Sequence, residues 1–325
     1  MSVLVTGAAG FIGYYTAMAL LEKGRKVVGV DNLNDYYDVN LKRSRLSNLR
    51  GQSGFSFNQL DIADKDSVHT LFQAHPDIDE IIHLAAQPGV RYSLINPYAY
   101  TRSNIEGHLV LLESARQLVS LKHFVYASSS SVYGSSKEVP FSIKSPTDSP
   151  VSLYAVTKKS MEMMSHAYSY LYRIPLTGLR FFTVYGPWGR PDMAYYSFTR
   201  KILAGEVIPV FNNGKMSRDF TYIDDIVMGI LSCLDNPPFD TIDPPYRLYN
   251  IGNNKSENLM DFIYELEKAL GKKADIKFQS MQAGDVKDTF ADIDAIKNDF
   301  GFKPTIGIDV GIPLFVDWYK SFHRV

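Results

Sequence analysis

Through the first half of the chain, short runs of consecutive apolar residues alternate with longer stretches in which apolar positions return every third or fourth residue. The short runs, at 3–5, 26–30, 55–60, 80–84, 122–127 and 174–181, have strand length, and apart from 55–60 they are largely apolar at successive positions, as strands covered on both faces are. The longer stretches predict helices from a turn at residue 7 through Lys23, and over 40–49, 65–74, 104–118 and 152–172. Strand and helix in alternation predict an α/β fold with a doubly wound parallel sheet ending at 174–181. Beyond that strand the composition turns to proline, glycine and aromatic residues, with helices expected near 195–204, 224–234, 258–270 and 311–321. The chain is thereby divided into a sheet domain, 1–187, and a region 188–325 that is mainly a smaller α/β domain. The proline-rich stretch 235–245 reads as a surface connection within the second part.

The turn after the first strand changes this picture from architecture to chemistry. Gly7-Ala8-Ala9-Gly10-Phe11-Ile12-Gly13 lies between strand and helix. There Gly7 permits a tight turn, Gly10 lets backbone approach a pyrophosphate, and Gly13 lets helix and strand pack closely. The new helix offers its free amides and positive dipole end to phosphates. Asp31, with Asn32 beside it, closes the second strand, where a carboxylate accepts hydrogen bonds from an adenosine ribose and repels a 2'-phosphate. A Rossmann-type domain binding NAD rather than NADP is expected. Ligands of such sheets lie off the carboxyl ends of the strands. That places Asp61 and Ile62 beside the adenine and Leu84, Ala85 and Ala86 along the middle of the cofactor, although ordinary packing also explains the alanines. Asn104 is expected near the cofactor as either a helix cap or a spacer for helix 152–172.

Composition narrows the class. Among 325 residues, 34 Lys and Arg against 35 Asp and Glu give a net charge of -1, which offers nothing to nucleic acid or an anionic membrane. No apolar run is long enough to span a bilayer, and the first strand lacks the flank of a signal peptide, so a cytoplasmic protein is expected. Cys233 is the one cysteine, which rules out an internal disulfide and reads as a packed core thiol. No cysteine or histidine cluster suggests a metal.

Two features lie where ligand chemistry is expected. Tyr154 and Lys158 are one helical turn apart on a single face. A lysine cation beside a phenol favours the phenolate, lowering a pKa that is ordinarily about 10 and making Tyr154 a candidate general base. By spacing alone the two also fit an unremarkable helix surface. Ala127-Ser128-Ser129-Ser130-Ser131-Val132-Tyr133-Gly134 follows the fifth strand, and its hydroxyls form either a polar turn or a hydrogen-bonding wall for a ligand.

Taken with the glycine turn, Tyr154, Lys158 and the serine run resemble the extended short-chain dehydrogenase/reductase family over essentially the whole chain. The resemblance implies that Ser129, five positions before Gly134, supplies the catalytic hydroxyl. Tyr154 is then the base, and Lys158 holds the nicotinamide ribose and tunes Tyr154. Three further segments resemble those of the UDP-glucuronate 4-epimerase subgroup: Gln87-Pro88-Gly89-Val90-Arg91-Tyr92-Ser93, Gly186-Pro187-Trp188-Gly189-Arg190-Pro191-Asp192-Met193-Ala194, and Met281-Gln282-Ala283-Gly284-Asp285-Val286. In the last, Ala283 stands where proline is expected, which bears on loop stiffness, while Gln282 and Asp285 are expected at the substrate. Ser217-Arg218-Asp219-Phe220 resembles the segment that grips a nucleotide-sugar diphosphate. That implies a diphosphate-binding role for Arg218, whose planar fork can meet two oxygens at once, with Arg190 beside it or in a surface ion pair.

The implied activity is isomerase: with tightly bound NAD, UDP-glucuronate and UDP-galacturonate interconvert through a 4-keto sugar. That intermediate is a β-keto acid prone to losing carbon dioxide. Neutral donors on its carboxylate would oppose this, and Ser130, Ser131 and Thr183 are candidates, with Arg91 either pairing with the carboxylate or lying in a solvated loop. Related decarboxylases and dehydratases carry an acid immediately before Val-Tyr-Gly, and here that position is Ser131. The alternatives are 4-epimerisation of a neutral UDP-hexose or UDP-N-acetylhexosamine, UDP-glucuronate decarboxylation, and nucleotide-sugar sensing without catalysis. The expected partners are a UDP-sugar and, through helices 104–118 and 152–172, a second copy in a homodimer, although amphipathic helices flanking a sheet show the same pattern.

Overall fold

A computed structural model describes residues 1–136, 138–239, 242–281 and 287–325. Six strands follow the apolar runs: β1 (Ser2–Thr6), β2 (Lys26–Asp31), β3 (Phe55–Gln59), β4 (Ile78–His83), β5 (His123–Ser129) and β6 (Leu176–Phe181). Every residue of β1, β4, β5 and β6 is buried, because helices cover both faces of the sheet. Those helices include α1 (Phe11–Glu22), α2 (Val39–Arg50), α3 (Lys65–Ala74), α4 (Pro97–Tyr100), α5 (Gly107–Ala115) and α6 (Leu153–Tyr172).

The remaining strands are β7 (Thr183–Tyr185), β8 (Ile208–Val210), β9 (Ser217–Arg218), β10 (Phe220–Tyr222), β11 (Tyr246–Ile251), β12 (Glu257–Asn258) and β13 (Ile276–Phe278). The principal sheet has seven parallel strands in the order β11-β6-β5-β4-β1-β2-β3. Chain order reverses at β1, which pairs with β2 on one side and β4 on the other, and this is where such sheets open a ligand crevice.

Two expectations are corrected. The sheet does not end at β6, because β11 pairs with it in parallel from Tyr246 opposite Leu176 to Ile251 opposite Phe181. The polar Arg247 and Asn250 hide this strand in the sequence. Arg247 faces solvent, whereas Asn250 is buried and donates to the carbonyls of Phe141 and Asp292 at 2.7 and 3.0 Å. The helix expected over 104–118 starts earlier, at Pro97, with Asn96 as its cap, and passes through a π-helical turn at Thr101–Glu106 before α5. The wider turn aims Asn104 inward instead of leaving it at a helix end.

In the second half lie α7 (Ala194–Ala204), α8 (Ile223–Leu234), α9 (Leu259–Leu270), α10 (Asp294–Phe300) and α11 (Ile308–His323). α8 packs on α1 and the principal sheet, while α7, α9 and α11 build a smaller lobe with the pairs β7–β10, β8–β13 and β9–β12. Its core is aromatic, with Phe220 stacked on Phe262 at 4.2 Å and Tyr195 edge-on to Phe315 at 4.8 Å. No helix among the described residues is long and apolar enough to cross a membrane.

Candidate active site

A cavity of about 400 Å³ lies off the carboxyl ends of the central strands, with the smaller lobe closing one side. Its first wall is the glycine turn. Gly7 has φ +71°, and a Cβ there would lie 2.8 Å from the Ala85 amide nitrogen, while one on Gly13 would lie 2.0 Å from the Gly7 carbonyl oxygen. Only glycine lets α1 start this close to β1 and β4. Gly10 caps α1 without a side-chain bond, leaving amides at the start of α1 beside the cavity that Gly10, Phe11, Ile12 and Gly13 line.

Asp31 is aimed by two backbone bonds, from Ala9 N at 3.2 Å and Leu33 N at 2.8 Å. Burial raises its pKa, opposed by the nearby charge of Lys42. Asp31 and Asn32 line the cavity, as do Asp61, Ile62, Leu84, Ala85 and Ala86. A groove with a glycine cradle, a helix N-terminus and a carboxylate one strand away fits a dinucleotide with a free 2'-hydroxyl. Asn104 lies outside the lining. It accepts from Gln87 N at 2.7 Å and donates to Thr157 Oγ1 at 3.0 Å, tying the end of β4 to α6 as a spacer.

α6 delivers the second wall. Ser152 caps it by accepting from Ala155 N at 3.1 Å, so Tyr154 projects from the first turn and Lys158 from the next. Both line the cavity with Ser129, Ser130, Ser131 and Thr183. Ser129 ends β5, and its Oγ accepts from Ser131 N and donates to Ser131 Oγ, each at 3.2 Å. Burial raises the Tyr154 pKa, against a lowering hydrogen bond from Ser129 and the charge of Arg190. A depression by Lys158 was expected instead. The lysine donates to the Ala127 carbonyl at 2.7 Å, and burial drives its own pKa down to about 7 against the pull of Glu162, so its positive charge is partial at neutral pH.

Glu162, one turn beyond Lys158, belongs to a buried network. Arg180 meets both its oxygens at 2.8 Å, Ser128 Oγ donates to it at 2.6 Å, and Arg180 also donates to the Tyr133 hydroxyl at 3.0 Å. Tyr133 in turn donates to Asn250 Oδ1 at 2.6 Å. Helix α6, the serine run and β11 are thereby locked together.

Of the arginines, Arg190 reaches the cavity and pairs with Asp192, Nε to Oδ1 at 3.0 Å. Arg91 is exposed, with its guanidinium 5.1 Å from the centre of the Phe211 ring, outside the lining. Arg218, on β9, donates to the carbonyls of Ser217 and Lys287 at 2.9 Å and is also outside it. Gln282 and Asp285 lie outside the described residues. Cys233 is buried and free, and no group of three or more His, Cys, Asp or Glu suited to a metal occurs among the described residues.

The sequence reading missed Tyr36, Lys42 and Asp192. Tyr36 and Lys42 line the cavity, and the Tyr36 hydroxyl donates to Asp192 Oδ2 at 3.1 Å. No local periodicity marks them, because Tyr36 and Asp192 meet across 156 positions and Lys42 reaches back to the loop at Asn34.

Residues 3–252 match the NAD dependent epimerase/dehydratase family. The chain is 46% identical over 335 residues to UDP-glucuronate 4-epimerase 2 of Arabidopsis thaliana, covering 100% of this chain and 77% of that one. It is 43% identical over 338 residues to a probable UDP-glucuronate 4-epimerase of Rhizobium meliloti (strain 1021), covering 100% and 98%. The crystal structure of UDP-glucuronic acid 4-epimerase from Bacillus cereus in complex with UDP-glucuronic acid and NAD superposes with a TM-score of 0.91 at 36% identity, covering 99% of this chain and 100% of that one.

Proposed function

Because this chain belongs to the NAD dependent epimerase/dehydratase family, we propose that it is an NAD-dependent isomerase, a UDP-glucuronate 4-epimerase that interconverts UDP-glucuronate and UDP-galacturonate through a 4-keto intermediate. The observation that carries this reading is one continuous cavity running from the glycine turn and Asp31 to Tyr154, Ser129 and Thr183. When bound, NAD supplies the acceptor for the C4 hydride and its return to the opposite face. Gly10, Phe11, Ile12, Gly13 and Asp31 would hold it, with Lys158 at the nicotinamide ribose.

Tyr154 takes the O4 proton and later returns it. Ser129 hydrogen-bonds the same oxygen, and Lys158 in its charged form favours the phenolate. Ser130, Ser131 and Thr183 grip the sugar carboxylate with neutral donors. They keep the C5–C6 bond away from the perpendicular to the C4 carbonyl, the geometry in which carbon dioxide leaves. Ser131, where an acid would serve chemistry near C5, supports epimerisation over decarboxylation. Arg190 holds the nucleotide-sugar from the smaller lobe. Arg218, Gln282 and Asp285 are assigned to the same substrate by resemblance alone.

The enzyme acts in the cytoplasm as a homodimer. Supporting the pairing, Val156, Met163 and Tyr170 repeat every seventh residue on one face of α6 and are 39%, 63% and 66% exposed. Its mass in solution, measured by light scattering, decides this point.

The activity is tested by incubating the purified protein, without added cofactor, with UDP-glucuronate, UDP-glucose or UDP-N-acetylglucosamine and chromatographing the products. UDP-galacturonate should form from the first, and about one NAD per chain should be released on denaturation. Conversion confined to the neutral sugars would replace this reading with hexose epimerisation, and a UDP-pentose product would replace it with decarboxylation.

A further inference from the structure

Arg45 is fully buried on α2, and among the described residues its hydrogen bonds go to neutral oxygens. Nη1 donates to the Ala9 carbonyl, inside the glycine turn, at 2.9 Å and to the Tyr37 hydroxyl at 2.8 Å. Nε and Nη2 donate to the Trp188 carbonyl at 3.1 and 2.5 Å, and Nη2 reaches the Gly189 carbonyl at 3.2 Å. A single planar fork, held in one orientation, thus spans from the phosphate-facing turn of one lobe to the segment that carries Arg190.

The far end of this bridge is strained. Trp188 has φ +59°, a left-handed conformation that bulky side chains rarely adopt. Its carbonyl accepts twice from Arg45, and its ring is wedged against Tyr14 and Trp318 at 5.7 and 5.3 Å. A Cβ on Gly189 would overlap Tyr195, whose hydroxyl accepts from Arg190 N at 3.3 Å. The turn is therefore gripped on both sides immediately before Arg190 enters the cavity. Tyr36, next to Tyr37, donates to Asp192, two residues beyond Arg190.

We propose that Arg45 is a positioning residue that couples the two halves of the cleft, joining the dinucleotide's glycine turn and the nucleotide-sugar turn at Trp188–Arg190 into one unit, so that occupancy of either half stabilises the other. The inference rests on the NAD and nucleotide-sugar reading of the cleft. A coupling of this kind is reciprocal, so it can be measured from the cofactor side without turnover.

The test compares the holoprotein with Arg45→Lys, which keeps the charge but not the fork. NAD loss during dialysis is followed with and without UDP, and KM and kcat are then measured on UDP-glucuronate. UDP should slow NAD loss from the wild type by about fivefold or more, within the usual range of coupling between sites. In Arg45→Lys that ratio should fall to about one. KM should rise by roughly tenfold with kcat changing much less, the pattern of binding lost equally from ground state and transition state. A purely structural role would lower the melting temperature and leave the UDP ratio as in the wild type, and that result overturns the proposal. Equal NAD loss with and without UDP in the wild type also overturns it, and needs no variant to fold. Failure of the functional reading looks different: NAD-loaded wild type would leave UDP-glucuronate unchanged while the UDP ratio remained measurable.

Discussion

Tyr154 illustrates how far a single residue's chemistry is set by its surroundings. Its phenol is raised by burial and pulled back by the Ser129 hydroxyl and the Arg190 charge, so the residue is tuned from three elements. Tyr154→Phe should lower kcat by a hundredfold or more, the scale of a lost acid–base group, while NAD content measured after denaturation stays at the wild-type level. Unchanged turnover would remove Tyr154 from the base role. Asp219 offers a pH-dependent test. Burial lifts its pKa from 3.8 to about 6 even though it accepts from Asn253 N, Ala291 N and Thr221 Oγ1. The folded state therefore favours the protonated carboxyl, a contribution complete below about pH 4 and lost as pH rises through about 6. Asp219→Asn lacks this contribution, so the wild type's stability margin over the variant should shrink by up to about 3 kcal/mol between pH 4 and pH 7. Urea denaturation at the two pH values measures it, and a margin that grows with pH contradicts the assignment. Of these residues, the sequence singled out Tyr154 through its spacing to Lys158. It could not disclose Asp219's burial or Arg45's reach, because Arg45 meets Trp188 from 143 positions away.

Helix α6 and its neighbours pose the question one scale up. Tyr154, Lys158 and Glu162 occupy successive turns, and Glu162 anchors the helix to β6 through Arg180, with both side chains 2% exposed. Removing one partner leaves a buried charge unpaired, so Glu162→Gln should cost roughly 3–5 kcal/mol in urea denaturation. Neutralising both, as Glu162→Gln with Arg180→Met, should recover part of that loss. A double variant no better than the single would mean that packing, not charge, dominates there. Helices with a regular apolar period were readable in advance, α3 to its very ends. The π-helical turn at Thr101–Glu106 was not, because it exists to bring Asn104 against Gln87 and Thr157, contacts the local sequence does not encode. β11 escaped for a similar reason, its Asn250 being satisfied by the distant Tyr133, Phe141 and Asp292.

In the whole molecule, the exposed stripe of Val156, Met163 and Tyr170 on α6 is the surface we propose for pairing of two copies. Met163→Glu puts a charge in its middle and should shift the mass measured by light scattering from dimer toward monomer. An unaffected mass would place the interface elsewhere. The sequence by itself determined the alternation of β and α elements, the dinucleotide turn and the carboxylate that follows it. Each of these depends on residues within a strand, a turn or a helix, where sterics and period act locally. Only the tertiary structure decided that β11 returns to the sheet, that Arg190 enters the cavity while Arg91 and Arg218 stay outside its lining, and that Arg45 ties one lobe to the other. A long polar side chain takes its role from whichever buried partner it meets, and that meeting is settled only when distant segments close on one another.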